Sequence, residues 1–330
     1  MKLVSMGDMA QTWALRQQNM SLNAELSKLT QELSSGATSN LSQHLNGDFR
    51  YLADIEHRTR TAQAYETATN EAQGFATTMQ AVLGSIQTGT EQLASDLLTA
   101  SEGTQQTWNV LSQNASERLS EIVASLNTSF AGRSLFAGDE TGMAAMASSD
   151  DILTSVRIAV AGEVTADGIR GAVEDWFSSE TGFGAVAYIG SDQNLSPFRL
   201  GERDAIQLDL RADAEELRSV MGNVVLAAIS TEYSDPDLQV TILEEAGLAL
   251  LEDQDGLTAV RADLGFAQAR IEEIGTSLAA ERLSLSYARE SLIGVDEFQT
   301  ATELENVQFH LQALYSVTAR LSGLSLVNFL

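Results

Sequence analysis

The feature that most limits the fold of this chain is a row of apolar residues spaced by seven. Leu257, Leu264, Ile271, Leu278, Leu285 and Leu292 follow one another without a miss. Val260, Ala267, Ile274, Ala288 and Val295 fill most of the partner positions three residues later, and Glu281 is the one charged intrusion. Residues three and four apart share a helix face, so a run this long specifies a helix that must bury a seam against another helix. Asp255-Gly256 reads as the turn from which that helix starts.

The N-terminal arm follows the same rule. Leu15, Leu22 and Leu29 recur every seven residues and Leu26 and Leu33 fill the alternate step, until Ser34-Ser35-Gly36 ends the pattern. A second long helix is expected from Asp48, with a stripe through Phe75, Met79, Val82, Ile86, Leu93 and Leu97. A third runs through Trp108, Leu111, Ala115, Ile122 and Leu126 to Phe130-Ala131-Gly132. Beyond the central row, Leu304 and Leu311 with Val307, Leu314 and Leu321 mark a final helix. Both prolines, Pro197 and Pro236, fall between the arms, which leaves the arms free to be continuously helical.

The middle of the chain differs in composition. Glu140–Gly256 holds 23 acidic and 6 basic residues, a net of −17 out of −27 for all 330 residues. Gly184–Ile189 and Ala205–Leu210 read as strands, with Phe198–Leu200 pairing the second through a Gly201–Asp204 turn. Helical patterns at Ile169–Phe177 and Ala214–Ile229 interrupt them. The fold class is therefore mainly α: a long antiparallel helical bundle or coiled coil from both termini, with a small α+β insertion. Three parts are expected: terminal helices that form an inner coiled coil and are disordered in the monomer (1–47 with 296–330), a helical bundle (48–139 with 250–295) and an outer insertion domain (140–249).

The chemistry available is narrow. The chain has no Cys, which removes disulfides, thiolate metal sites and thiol nucleophiles together. Its 3 His residues, at 44, 57 and 310, have no ligand-type spacing. Gly182-Phe-Gly184-Ala-Val-Ala187 matches a dinucleotide fingerprint only formally, because it precedes an apolar run where a helix is required. Asp253-Gln-Asp255-Gly256 resembles a piece of a calcium loop, but Ala262 stands where the bidentate Glu belongs, and a helix-start cap is the better reading. Carboxylate pairs such as Asp150-Asp151 and Glu215-Glu216 read as solvated surface, and Trp13, Trp108 and Trp176 are too scattered for a sugar platform. No catalytic, cofactor or metal site is expected, and no enzyme. The net charge disfavours nucleic acid and anionic lipid, and no run of 18 apolar residues exists to cross a membrane.

The ends need a partner. Each terminal helix is amphipathic and only a few turns deep, so another surface must cover its seam. Val307–Leu330 is especially apolar and has a single full charge, Arg320. An end like that is an assembly surface or an aggregation hazard. The expected subunit or chaperone interface is Leu15, Leu22, Leu26, Leu29 and Leu33 with Val307, Leu311, Leu314, Leu321, Leu324, Phe329 and Leu330. Both tails tucking into the chain's own core is the competing reading.

Asn127-Thr-Ser-Phe-Ala-Gly-Arg-Ser-Leu-Phe-Ala-Gly138 resembles the N-x-x-[FY]-x-G-[RK]-x-[LIV]-F-[AS]-G element of the FlgL family of flagellar hook–filament junction proteins, in the flagellin superfamily. Asn127, Phe130, Gly132, Arg133, Leu135, Phe136 and Gly138 are the matching positions. Arg261-Ala-Asp-Leu-Gly265 with the heptads that follow, and the Ser322–Leu330 ending, are similar to the C-terminal half of that superfamily. The stretch after Gly36 lacks the Asp-Asp-Ala-Ala-Gly element usual in filament subunits, which favours the junction family. The resemblance covers roughly 1–140 and 255–330. It implies a structural adaptor between hook and filament, located outside the cell on the flagellum and exported without a cleaved signal peptide. It also implies ring-wise self-association, neighbouring hook-associated and flagellin subunits as partners, and a FlgN-like export chaperone on the C-terminal helix. A filament subunit and a coiled-coil effector of a type III secretion system are the rival readings. Independently of the resemblance, Phe130, Leu135 and Phe136 can plug the space between helix ends, and Arg133 can pair with an acidic neighbour.

Overall fold

A computed structural model describes residues 3–327, with side-chain surroundings for 9–320. Nine α-helices account for most of the described residues, and the β structure among them is two hairpins with two-residue strands and two isolated bridges, Ala37–Gly294 and Met146–Tyr188. The chain divides into two compact units, residues 1–63 with 280–330 and residues 64–279.

In the first unit, α1 (Leu3–Ser35) ends at Gly36, whose φ of +66° suits the left-handed residue after a helix. A short α2 (Leu41–His44), not visible in the sequence pattern, follows. The link around α2 is tied down by Thr38 N–H donating to the Ile293 carbonyl and Val295 N–H to that of Gly36. Glu32 is buried beneath this link and accepts from the Ser39 N–H and Oγ–H, both at 2.9 Å. The start of α3 (Arg50–Leu97) and the end of α8 (Pro236–Ile293) contribute Leu52, Ile55, Ala62 and Leu285 to the unit's buried side chains, and Arg58 meets Glu281 at 2.7 Å. α9 (Glu297–Val327) then packs antiparallel on α1, with Leu29, Val307 and Leu311 at the centre of the contact.

Burial pushes the Glu32 carboxyl up, but the donors from Ser39, with Lys28 and Thr38, outweigh it and hold the group below its ordinary value. A depressed folded value means the carboxylate stabilises the fold above the unfolded value and loses that contribution as pH falls through the folded one. Glu32→Gln is therefore expected to lower the melting temperature at neutral pH, and the gap to the parent to close below about pH 4. Thermal scans of both proteins across pH check this.

In the second unit, α3 and α8 run antiparallel, bridged by Gln268–Thr77, Arg261–Gln87 and Gln254–Thr90 side-chain bonds. α4 (Gln105–Leu126) and α7 (Glu215–Ile229) pack closely, and the Ser112 hydroxyl donates to the Ala228 carbonyl at 2.6 Å. α7 is apolar nearly all round because α4, α6 (Ala166–Ser178) and α8 enclose it; Phe177 of α6 faces Gly222, and Asp253 of α8 accepts from Ser219 and Asn223. α5 (Ser149–Ala159), capped by Ser148, is a helix the sequence pattern did not single out.

Three expectations need correction. The heptad helix does not start at Asp255-Gly256: α8 begins at Pro236 and passes through that dipeptide unbroken. The turn chemistry there is overridden because Asp253 is bonded to α7, and burial pushes its carboxyl above the ordinary carboxylate range. Gly184–Ile189 is not a strand; Phe183–Ala187 forms a π-helical turn beside Trp176 and Phe177. The strand expected over Ala205–Leu210 shrinks to β4 (Ala205–Ile206), which pairs with β3 (Phe198–Arg199) through the expected turn.

Candidate functional site

Two constellations stand out, one in each unit. The first is the segment from Asn127 to Gly138. Asn127 ends α4, and its side-chain amide makes both hydrogen bonds to the Met146 backbone, donating to the carbonyl at 3.0 Å and accepting from the N–H at 2.8 Å. An amide side chain alone can pair a backbone residue this way, since it has a donor and an acceptor side by side. β1 (Ser129–Phe130) then turns back into β2 (Arg133–Ser134) through Ala131 and Gly132, with φ of +51° and +78°. Positive φ at both central residues is the hairpin turn that matches strand twist.

The hairpin lies on α3. A Cβ at Gly74 would sit 2.3 Å from Phe130 Cζ, so only glycine lets the ring rest on the helix. Arg133 is ion-paired with Glu71 and stacks over the Phe75 and Phe198 rings at 5.8 and 5.6 Å. Leu135 and Phe136 are buried. Beyond them the backbone is gripped by the insertion: the Phe136 carbonyl accepts from Ala212, the Ala137 carbonyl from Ser191, and Asp139 N–H donates to Gln193. Gly138 has φ +68°, and a Cβ there would be 2.3 Å from the Gln193 carbonyl oxygen. All seven signature positions thus converge on one clamp that fixes the end of α4, α3 and the insertion to one another.

Asn127→Ala leaves the Met146 N–H and carbonyl without partners, which costs about 1–3 kcal/mol for a buried donor and acceptor. Asn127→Asp restores only the acceptor and is expected to recover part of the loss. Urea titrations of the three proteins measure the order.

The second constellation is the α1–α9 pair. Of the expected interface residues, Leu29, Val307 and Leu311 are buried together, with Leu22, Leu26 and Leu304 packed on them, and Leu314 is buried further along α9. Leu15 and Leu33 are partly covered. Phe329 and Leu330 lie outside the described residues, as do the side chains of Leu321 and Leu324. The seam is therefore filled by the chain's own other terminus.

What remains open is the opposite face. Met9, Trp13 and Met20 fall within about 40° of one another around α1, turned away from the leucine seam. Phe298 and Phe309 form a matching row on the far side of α9. All five are exposed, Trp13 at 69% and Phe309 at 67%. Sequence reasoning missed this second stripe because the leucine heptads are the stronger pattern. The spacing of four and seven from Met9 to Trp13 to Met20 was the signal that could have found it.

Elsewhere the formal motifs have structural explanations. Gly182 packs under Trp176, where a Cβ would meet the Trp176 carbonyl at 2.5 Å. Among the described residues no group of three or more His, Asp or Glu could hold a metal ion, and no helix is long and apolar enough to cross a membrane.

Comparison with known proteins agrees with this geometry. Residues 249–330 match the family model of the bacterial flagellin C-terminal helical region. A putative flagellar hook-associated protein from Vibrio parahaemolyticus superposes over 73% of this chain and 95% of its own, at 14% identity and a TM-score of 0.54. Bacillus cereus FlgL superposes over 72% of this chain and 100% of its own, again at 14% identity, with a TM-score of 0.53. No curated protein matches the chain by sequence. The chain thus shares the fold of these two proteins, and residues 249–330 match the flagellin C-terminal helical region.

Proposed function

We propose that this protein is a structural part of the bacterial flagellum, the adaptor that joins the hook region to the flagellin filament. The observation that carries the proposal is the second apolar stripe on the α1–α9 pair. The leucine seam is already spent inside the chain, so Met9, Trp13, Met20, Phe298 and Phe309 are free to pack against neighbouring subunits. Charge points the same way. Residues 1–35 hold three basic and three acidic residues, and 297–330 hold three acidic and one basic, in a chain of net charge −27. Like copies repel least where their charge is lowest.

In this reading the terminal helices of successive subunits form an inner tube. The acidic block 140–249, where like charge is densest, is left to solvent. Neighbouring hook-associated and flagellin subunits, and further copies in a ring, cover the stripe. A FlgN-like chaperone covers the C-terminal helix until export without a cleaved signal peptide delivers the chain to the cell exterior. The function is mechanical, with no reaction and no cofactor.

The match of 249–330 to the flagellin C-terminal region supports a second reading, the filament subunit itself. Deletion of the gene separates the two. A junction adaptor leaves hooks without filaments and sheds flagellin into the medium, seen by electron microscopy and by immunoblot of the supernatant. Loss of filaments with no flagellin in the medium identifies the filament subunit, and normal filaments refute both readings.

A further inference from the structure

The second unit, residues 64–279, contains 34 acidic residues, ten arginines and no lysine. Two copies of such a surface repel almost everywhere, so any contact between them must be placed where local charges oppose. Eight of the ten arginines are engaged by a carboxylate, an amide or a backbone carbonyl. Arg199 and Arg203 are the exceptions: both are exposed, and neither has a partner among the described residues.

These two arginines share one small hairpin, β3–turn–β4, and the hairpin is held firmly. Phe198 is buried against Phe75 with ring centroids 5.6 Å apart, and Leu200 is fully buried. Leu200 N–H donates to the Asp204 carbonyl, and Asp204 pairs with Arg270 at 2.9 Å. The hairpin is thus a fixed base that presents two arginines without an ion-pair partner among the described residues, with one exposed carboxylate, Glu202, between them.

The same unit has a cleft of about 390 Å³ with the reverse character. Its floor is apolar, built from Met79, Leu208, Val260 and Leu264, and its rim carries Asp209 and Asp263. Both aspartates are exposed and unpaired among the described residues. The one cation lining the cleft, Arg211, is consumed by Asp213, Asn194 and the Asp192 carbonyl. An apolar floor beneath a carboxylate rim suits an arginine side chain, whose aliphatic stem packs while its guanidinium reaches two carboxylates.

We propose that the Phe198–Ile206 hairpin of one copy docks in the cleft of a second copy, with Arg199 and Arg203 facing Asp209 and Asp263. Hairpin and cleft are neighbouring but different surfaces of one unit, so a contact that is not reciprocated is heterologous and repeats from copy to copy, closing a ring where its rotation allows. The proposal rests on the self-association set out above and names the outer surfaces that carry it.

The absence of cysteine makes a disulfide trap clean. Full-length Arg203→Cys and Asp263→Cys chains carrying tags of different size are mixed, oxidised with copper phenanthroline and resolved on a non-reducing gel. The expected result is a mixed-tag dimer in several-fold excess over both same-tag dimers. That excess should vanish when Arg199→Glu is added to the first chain, and return when Asp209→Arg is also added to the second. Equal yields of mixed and same-tag dimers overturn the contact. So does a single chain with both cysteines closing on itself at a rate independent of concentration, because the arginine would then reach its own cleft. Self-association of the unaltered chain is measured in parallel by sedimentation velocity. If it associates while the mixed pair does not cross-link, the assembly reading stands and this contact is wrong; if it stays monomeric, both fall.

Discussion

Placing glutamate at Trp13 and Phe309 together is expected to abolish assembly while leaving the fold intact. Both side chains are exposed on the face opposite the seam, so neither Leu29 nor Val307 loses a contact, and glutamate is a good helix former. In an assembled tube each would lie buried against a neighbour, where an unpaired carboxylate is strongly unfavourable. Losing one large aromatic anchor typically costs 2 kcal/mol or more, so the double change should raise the critical concentration by at least about a thousandfold. Sedimentation velocity measures the association, and circular dichroism verifies that helix content is unchanged. Cells carrying the variant should show bare hooks. Wild-type association by the double variant would show that the outer stripe is not the interface.

The second large effect is on stability. Phe136→Ala is expected to destabilise the second unit by about 3–5 kcal/mol, the usual result of emptying a buried phenylalanine site. Phe136 is fully buried, and its neighbours cannot close the space cheaply because the backbone on either side is fixed by bonds to Ala212 and Ser191. Phe309→Ala removes the same side chain from an exposed position and should change stability by less than about 0.5 kcal/mol. Calorimetry on the two variants makes the comparison. A Phe136→Ala protein as stable as Phe309→Ala would mean that the signature segment is a passive loop and not a clamp.

These expectations draw on the sequence unequally. Helices α1, α3, α4, α6, α7 and α9 are legible because a 3.6-residue period is a local property, written into the spacing of Leu, Ile and Val. The β3–β4 hairpin is legible for the same reason, since a short turn between two apolar pairs is also local. Gly184–Ile189 is not, because a short apolar run fits a strand or a buried turn equally well, and only its aromatic neighbours Trp176 and Phe177 select the π-helical turn. The start of α8 was misplaced because Asp253-Gln-Asp255-Gly256 has the composition of a turn, whereas Ser219 and Asn223 supply the bonds that keep it helical.

The sequence by itself determined that this chain would be long helices from both ends around an acidic insertion. Periodicity and composition need no knowledge of the partner surface. Tertiary structure decided what each apolar face is for. The heptad leucines of α1 require a cover but do not name it, and the fold assigns them to α9 of the same chain. Only once that seam is filled do Met9, Trp13 and Phe309 become the free surface. Asn127, Phe130 and Gly138 likewise acquire a common purpose only when Met146, Gly74 and Gln193, distant in sequence, are brought against them. A periodic pattern shows that a surface must be buried; which surface buries it is settled by contacts between residues far apart in the chain.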